Sequence, residues 1–219
     1  VKAVDGFENL DWWRDMPSNQ RPPNRTLSSQ SNQFGNAPRD HVSWYQAVAF
    51  TRWLTARLTA SNATFSSGGA RVNGVDWEVR LPTEWEWQWA AQGGSEKREY
   101  PWGSWQDGRA NVGGVLNTTT SVGMYPQGAA ASGALDMSGN VWEWCLNKWG
   151  SPHATAVDAA VDATKWHPLL RAVLGSVRMT RRTAVKYRVR RGGSFHNSSY
   201  MAASSFRWND PPGYARSYI

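Results

Sequence analysis

A long run without helical or strand periodicity, residues 100–131, limits what this chain can fold into. It consists of the short pieces YPWGSW, NVGG and TTTSVGMYP and a turn rich in Gly, Ala and Ser. Compact domains rarely hold irregular segments longer than about 12–15 residues. The run therefore argues against a compact domain unless the scaffold is one that carries long ordered loops.

Two segments carry the signature of helices. The first, HVSWYQAVAFTRWLTARL, has Ser43 and Gln46 at the spacing of an N-terminal capping box. Its apolar residues recur at helical spacing, namely Ala47, Phe50, Leu54 and Leu58.

The second helix follows Pro82 and Thr83, with Glu86 at the capping-box position. Its end is set by Gly93 and Gly94. Within it, Trp85 and Trp89 fall on one face.

Three other segments complete the coarse organisation. The alternation in VDWEVRL, residues 75–81, predicts a strand after a polar turn over residues 66–74. Residues 136–149, DMSGNVWEWCLNKW, alternate as a second strand. Residues 1–37 are rich in Pro, Asn, Gln and Ser and predict an extended lead-in, which favours a chain taken from a longer protein with a further N-terminal domain.

Composition excludes several classes of protein. No apolar run approaches the about 18 residues that a membrane helix needs, and Val1 opens no signal sequence. The single cysteine, Cys145, allows no internal disulfide, so we expect a cytoplasmic protein. The four histidines have no metal-ligand spacing. A net charge of +7 permits an anionic partner but does not identify one.

Four fragments in order resemble the formylglycine-generating enzyme, or sulfatase-modifying factor, family. They are HVSWYQAVAFTRWL, RLPTEWEWQWAAQGG with YPWG, DMSGNVWEW, and RVRRGGSF. The resemblance covers residues 38–219 apart from an insertion over residues 151–186. It implies an α+β, variant C-type lectin fold with two helices, a small twisted antiparallel sheet and long ordered loops, which would accommodate residues 100–131.

The resemblance also bears on catalysis. Enzymes of the family bind copper through two cysteines that follow the GGS motif, and those positions are Asn197 and Ala202 in this chain. Neither residue supplies a thiolate, and Cys145 lies in the strand, where a small buried residue is expected. We therefore expect no copper-dependent enzyme and no required cofactor.

A non-enzymatic branch of the family, the variable proteins of diversity-generating retroelements, matches better. Its C-terminal variable region, residues 191–219 here, has a fixed frame. That frame is retained in Arg191, Gly192, Gly193, Ser194, Asn197, Arg207 and Pro211.

The positions between the frame residues would contact a macromolecular ligand. They are His196, Ser198, Ser199, Tyr200, Met201, Ala203, Phe206, Trp208, Asp210, Tyr214, Ser217 and Tyr218. Rigid aromatic side chains interspersed with Ser and Asn are typical of recognition surfaces. Phe195, between the same frame residues, is at least as well explained as a core residue.

Two other functions remain open. An altered enzyme of the family could use His196 and Asp210 as acid and base. Alternatively, the basic run from Arg171 to Arg191 could bind nucleic acid or another anionic partner. Against the latter, Arg188, Arg190 and Arg191 belong to a predicted strand of the scaffold.

The resemblance finally implies a calcium site. Its ligands would be Asp136, Gly139, Val141 and Glu143, and carboxylates with carbonyls suit a hard cation. The alternative is that Glu143 pairs with a neighbouring Arg or Trp indole.

Overall fold

The computed structural model describes residues 6–60, 65–67, 70–72, 78–150 and 187–219. Its elements in chain order are α1 (Trp44–Ala60), β1 (Phe65–Ser67), β2 (Ala70–Val72), α2 (Glu84–Ala91), β3 (Glu143–Lys148), β4 (Arg188–Arg191) and β5 (Trp208–Asp210). Strands β1 and β2 form an antiparallel hairpin, and β3, β4 and β5 form an antiparallel sheet with β4 in the centre. Two helices, a small antiparallel sheet and long loops confirm the predicted α+β class.

Helix α1 begins with the predicted capping box. The main-chain N–H of Gln46 donates to Ser43 Oγ at 3.2 Å, and the main-chain N–H of Ser43 donates to Gln46 Oε1 at 2.8 Å. The face that packs inward is not the one that the spacing of Phe50 and Leu54 indicated, because Trp44 and Val48 are buried and Phe50 is 56% exposed. Apolar residues lie around most of this helix, so periodicity alone does not select the face that packs.

Helix α2 begins and ends as predicted. Thr83 and Glu86 form a complete capping box, and Gly93 follows the helix with a left-handed φ of 72°. Trp85 and Trp89 share a face, but that face is exposed, and Trp87 between them is buried.

The strand predictions need correction. Residues 78–81 are not in a strand, and residues 75–77 lie outside the described residues. The predicted polar turn over residues 66–74 instead contributes to the β1–β2 hairpin.

Only the second half of the predicted strand over residues 136–149 is a strand. Its first half bends where Gly139 has a φ of 80° and lies so close to another loop that a Cβ would be 2.3 Å from the Asn111 carbonyl oxygen. Only glycine fits that contact.

The N-terminal segment packs on the domain rather than lying extended beside it. It contains two short 3₁₀ helices, Leu10–Trp13 and Ser18–Gln20, and Trp13 is fully buried. Arg25 further ties the segment down, since its guanidinium donates to the Gly213 carbonyl at 2.6 Å. The prediction of an extended lead-in is therefore wrong for residues 6–37.

The irregular run over residues 100–131 is ordered through side-chain amides. Asn140 Oδ1 accepts the Thr120 N–H at 2.9 Å and Asn140 Nδ2 donates to the Thr120 carbonyl at 3.2 Å. The Asn140 N–H donates to the Asn111 carbonyl at 2.9 Å. One buried asparagine thus replaces a strand partner for two loops and satisfies their main-chain groups.

The sheet separates two hydrophobic clusters. On β3, Trp144 and Leu146 point to one side and Cys145 to the other, as side chains of a strand alternate. The larger cluster joins Trp13, Met16, Trp44, Val48, Ala49, Trp142, Trp144, Leu146 and Ile219. The smaller joins Trp87, Ala91, Ala130, Met137, Cys145 and Val189.

The arginines of β4 are interior residues. Arg188, Arg190 and Arg191 are 6%, 5% and 0% exposed, which confirms that they belong to the scaffold. The rest of the basic run, Arg171, Arg178, Arg181, Arg182 and Lys186, lies outside the described residues. In the described part of the chain, no helix has the length and apolar character needed to cross a membrane.

We expect Arg191→Met to lower the free energy of unfolding by about 3–5 kcal/mol, because it removes a buried cation and leaves its partners without donors. The matched control is Arg39→Met, which removes an exposed arginine bound to a single carbonyl, that of Ser28. It should cost about 0.5 kcal/mol or less in urea-induced unfolding. Equal losses for the two variants would contradict a structural role for Arg191.

Candidate functional site

The C-terminal segment is held through its main chain by a single buried side chain. Arg191 donates to three successive carbonyls, those of Ser204 at 3.0 Å, Ser205 at 2.9 Å and Phe206 at 2.7 Å. It also donates to Gln88 Oε1 at 2.6 Å. None of the three carbonyl contacts depends on which side chain the segment carries.

A second arginine, Arg207 of the segment itself, fixes the segment to α2. Arg207 makes a bidentate pair with the buried carboxylate of Glu84, with N–O distances of 2.5 and 2.6 Å. Two parallel N–H to oxygen bonds hold the guanidinium in one orientation. Glu84 lies 3.6 Å from Arg191 as well, so one carboxylate of α2 is shared by both arginines.

The turn after β4 depends on its two glycines. Gly192 and Gly193 have φ values of 90° and 71°, and a Cβ on Gly193 would lie 3.0 Å from the Met201 carbonyl oxygen. Ser194 Oγ then donates to Asn197 Oδ1 at 2.7 Å. The frame residues Gly192, Gly193, Ser194 and Asn197 therefore build this turn.

Loop residues hold the same turn through further main-chain bonds. The N–H groups of Gly113 and Gly114 donate to the carbonyls of Asn197 and Phe195, both at 2.7 Å. Ser138 Oγ donates to the Ala202 carbonyl at 2.7 Å. Trp142 N–H donates to the Tyr218 carbonyl at 2.8 Å, so the end of the chain is fixed to the domain too.

Three aromatic residues, the exposed Tyr200 and Trp208 with the half-buried Phe206 between them, form a patch on this framework. The Tyr200 and Phe206 rings pack edge to face, with their centroids 5.6 Å apart. The Phe206 and Trp208 rings are stacked, with centroids 6.2 Å apart and planes 9° apart. Tyr200 is 62% and Trp208 45% exposed. The core residue Trp142 packs against Phe206, with the ring centroids 6.2 Å apart. His196 and Ser198, which are also exposed, lie in the same segment.

Tyr214 lies beside a second feature, an open groove of about 550 Å³. Tyr45, Pro17 and Pro211 are among its lining residues. The Tyr214 and Tyr218 hydroxyls are 3.3 Å apart and share a hydrogen bond, and the exposed Arg216 guanidinium lies 4.9 Å from the Tyr214 ring centroid. Both tyrosines are half-buried, as is Ser217.

Several residues that were predicted to contact a ligand face the interior. Ala203 is buried, and Met201 packs against the larger core cluster. The Asp210 carboxylate forms an ion pair with buried Arg190 at 2.6 Å. Phe195, for which the core was at least as good an explanation, is 6% exposed. The exposed part of the predicted surface is thus smaller than the sequence indicated.

The residues proposed for catalysis are not brought together by any hydrogen bond. Asp210 is engaged by Arg190, while the His196 ring packs on Phe195 at 5.3 Å. At the positions of the family cysteines, Asn197 binds Ser194 and Ala202 is fully buried. Cys145 is also buried, which raises the pKa of its thiol well above the usual range.

The predicted calcium residues are partly used by other contacts. Glu143 Oε2 accepts the Trp87 indole N–H at 2.7 Å, which is the alternative that the sequence left open. Asp136 Oδ2 accepts the Gly123 N–H at 2.7 Å. Burial raises the pKa of Glu143 to about 7, against the Trp87 hydrogen bond that lowers it, and the nearby Asp136 raises it further.

Oxygen donors of this kind suit a hard cation, and the two carboxylates are close enough to repel each other. Within the described ranges, no group of three or more His, Cys, Asp and Glu residues could hold a metal. Carbonyls of Gly139 and Val141 would have to complete the site, so calcium stays a prediction.

Sequence reasoning missed the partners that hold the segment from α2 and from the N-terminal region. In the sequence, Glu84 and Gln88 have the appearance of ordinary polar helix residues. They were missed because they are far in sequence from Arg191 and Arg207, which leaves no local signal. The same is true of Arg25 and Gln20, which meet at 2.9 Å beneath Gly213.

Comparison with known proteins gives the following likenesses. The family described as sulfatase-modifying factor enzyme 1-like domain matches residues 2–219. Hercynine oxygenase of Mycolicibacterium smegmatis is 32% identical over 187 residues, which cover 81% of this chain and 35% of that protein. A formylglycine-generating enzyme of Thermomonospora curvata is 29% identical over 161 residues, covering 66% of this chain and 45% of that protein. The chain thus spans between a third and a half of these relatives.

Among solved structures, Treponema denticola variable protein 1 superposes with a TM-score of 0.54 at 23% identity, covering 94% of this chain and 77% of that chain. This likeness concerns the fold. It confirms the variant C-type lectin fold that the four sequence fragments predicted.

We expect the free energy of unfolding to fall as pH rises from about 4.5 to 7 in the presence of a chelator. Glu143 has a pKa near 7 in the folded protein against an ordinary 4.5, so the folded state binds more protons than the unfolded state in this window. The loss should be on the order of 3 kcal/mol, and it should level off above pH 7.

Glu143→Gln should remove this fall, whereas Asp107→Asn, a change at an exposed carboxylate, should not. Calcium provides a further arm, because a bound cation would hold Glu143 ionised and abolish the fall. The same pH profile in wild type and Glu143→Gln would refute the buried carboxyl as its origin, and an unchanged profile in calcium would refute the metal site.

Proposed function

The chain belongs to the family of sulfatase-modifying factor enzyme 1-like domains, and we propose that it is a non-enzymatic member that binds a macromolecular ligand through its C-terminal surface. The observation that carries the proposal is the way in which that surface is supported. Arg191, Gly113, Gly114 and Ser138 all hold the segment through main-chain carbonyls. Side chains at the exposed positions can therefore change without disturbing the backbone.

The exposed side chains have the chemistry of a binding surface. Tyr200, Phe206 and Trp208 form a contiguous aromatic patch, and aromatic residues supply most of the energy at the centres of many interfaces. His196 and Ser198 add polar groups around them. A backbone that is already ordered also loses little conformational entropy when a ligand binds.

This arrangement supports the finer proposal that residues 191–219 are the variable region of a diversity-generating retroelement. Such a region needs fixed residues that hold the loop and free residues that meet the ligand. Arg191, Ser194, Asn197 and Arg207 are of the first kind, since each is engaged by hydrogen bonds within the domain. Tyr200 and Trp208 are of the second kind.

The competing function is enzymatic, and the identity with a hercynine oxygenase and with formylglycine-generating enzymes favours it. Against it, Asn197 and Ala202 occupy the positions of the family's copper-binding cysteines. Their local contacts are those of structural residues: a hydrogen bond with Ser194 and complete burial.

We predict that the exposed positions tolerate substitution. The double variant Tyr200→Ala, Trp208→Ala should nearly keep the melting temperature of the wild type, because the two residues are 62% and 45% exposed and belong to neither core cluster. Trp87→Ala is the matched control for an interior indole and should cost about 3–5 kcal/mol. A collapse of the melt in the double variant would place the patch in the core and defeat the proposal.

Binding can be tested without knowing the natural ligand. A library randomised at His196, Ser198, Tyr200 and Trp208 is selected against purified hen lysozyme, and clones should be enriched whose binding is lost on reversion. A matched library is randomised at four exposed helix positions, Phe50, Thr59, Trp85 and Trp89. It should give far fewer enriched clones. Equal enrichment from the two libraries would remove the special role of the C-terminal surface.

We predict no dioxygen consumption above buffer when the chain is supplied with copper and a Cys-containing peptide. The physical reason is the absence of paired thiols at residues 197 and 202. Asn197→Cys with Ala202→Cys restores the two thiols and should gain Cu(I) binding, measured with a competing chromophoric chelator. Oxygen uptake by the unaltered chain would favour the enzymatic function.

A further inference from the structure

One long segment of the surface carries no charge. Residues 110–135 contain no Asp, Glu, Lys or Arg, although 19% of the whole chain is charged. Five large hydrophobic residues in this segment are nevertheless exposed: Val115 (85%), Leu116 (49%), Val122 (53%), Met124 (55%) and Leu135 (39%).

A second uncharged segment, residues 31–37, lies beside the first. The Val122 N–H donates to the Asn36 carbonyl at 2.9 Å, and Asn32 Nδ2 donates to Thr119 Oγ1 at 2.7 Å. This segment adds Phe34, which is 44% exposed. We refer to residues 31–37 and 110–135 together as the uncharged face.

The uncharged face has the composition of an interface. Single exposed hydrophobic residues are ordinary, but six of the fourteen in the described part of the chain belong to this face. The centres of protein interfaces are depleted in charge and enriched in Met and aromatic residues. The two segments are also comparable in length to the about 20–30 residues that each partner contributes to a stable interface.

The absence of charge on this face favours a second copy of the chain over a charged partner. At a net charge of +7, two copies that meet through most of their surface oppose like charges. The described residues of the uncharged face bring no like charges of the two copies together, and interfaces between identical chains are more apolar than other interfaces. We propose that the chain forms a symmetric dimer through the uncharged face.

The dimer interface would adjoin the proposed binding surface near residues 195–197 and leave the aromatic patch of Tyr200, Phe206 and Trp208 to the ligand. Gly113 and Gly114, within the uncharged face, bind the carbonyls of Asn197 and Phe195, whereas the patch of Tyr200, Phe206 and Trp208 is supported from Trp142. Two copies of the binding surface would then act on one ligand with increased avidity. Dimerisation itself does not depend on the proposed function.

Sedimentation velocity over about 1–100 µM tests the proposal, since this range covers dissociation constants of ordinary homodimers. The wild type should be dimeric at the upper end, and added NaCl should not dissociate it, because salt screens the repulsion between the copies. Val115→Lys with Met124→Lys should weaken the dimer at least about 100-fold by opposing like charges. Phe50→Lys with Trp89→Lys, at equally exposed positions on the two helices, should leave it intact.

A wild type that is monomeric over the whole range overturns the proposal and leaves the uncharged face to a different partner. The proposal also fails if the helix variant dissociates while the Val115 and Met124 variant does not. Should the lysine pair lower the melting temperature, Val115→Ser with Leu116→Ser is the second variant, and it should weaken the dimer without loss of stability.

Discussion

The buried guanidinium of Arg191 is the contact on which the C-terminal half of the fold depends. It sits in the central strand with no exposed area and reaches the carbonyls of three consecutive residues, 204–206, in a segment that is otherwise irregular. A buried cation is costly unless it is paired and hydrogen-bonded. Glu84 and Gln88 on α2 meet both requirements, which couples the position of that helix to the shape of the loop.

Several of the tryptophans contact the buried arginines of the basic strand β4 and its surroundings. The three arginines of β4, together with Arg207 just before β5, lie over indole rings. The distances from the guanidinium carbon to the ring centroid are 3.7 Å for Arg188 on Trp44, 4.7 Å for Arg190 on Trp142, 5.2 Å for Arg191 on Trp87 and 4.6 Å for Arg207 on Trp149. Three guanidinium nitrogens, in Arg190 and Arg191, have no hydrogen-bond acceptor among the described residues. The ring faces partly compensate for this, because a cation is attracted to the electron-rich face of an aromatic ring. The buried arginine charges of the sheet therefore lie against the faces of indole rings.

Local signals in the sequence were reliable where the physics is local. The capping boxes of both helices and the Gly93 stop involve residues at most four positions apart, and each was correctly predicted. The buried face of α1 and the β1–β2 hairpin were not, because packing against distant segments decides them. The same holds in the site. The two-glycine turn could be predicted from RGGS, but the burial of Ala203 and the pairing of Asp210 with Arg190 depend on contacts that sequence spacing does not reveal.

The supports of the C-terminal surface would also let one fold serve either catalysis or the recognition that we propose. Asn197 and Ala202 lie where the family's thiols would, and both are anchored by main-chain contacts, with Gly113 at the Asn197 carbonyl and Ser138 at the Ala202 carbonyl. Such contacts would be available to any side chain at those two positions. A framework that fixes the backbone and leaves the side chains free can hold two cysteines for a metal in one protein. In another it can hold an exposed aromatic patch, as Tyr200 and Trp208 do here. The choice of side chains, rather than a change of fold, then decides between the two functions.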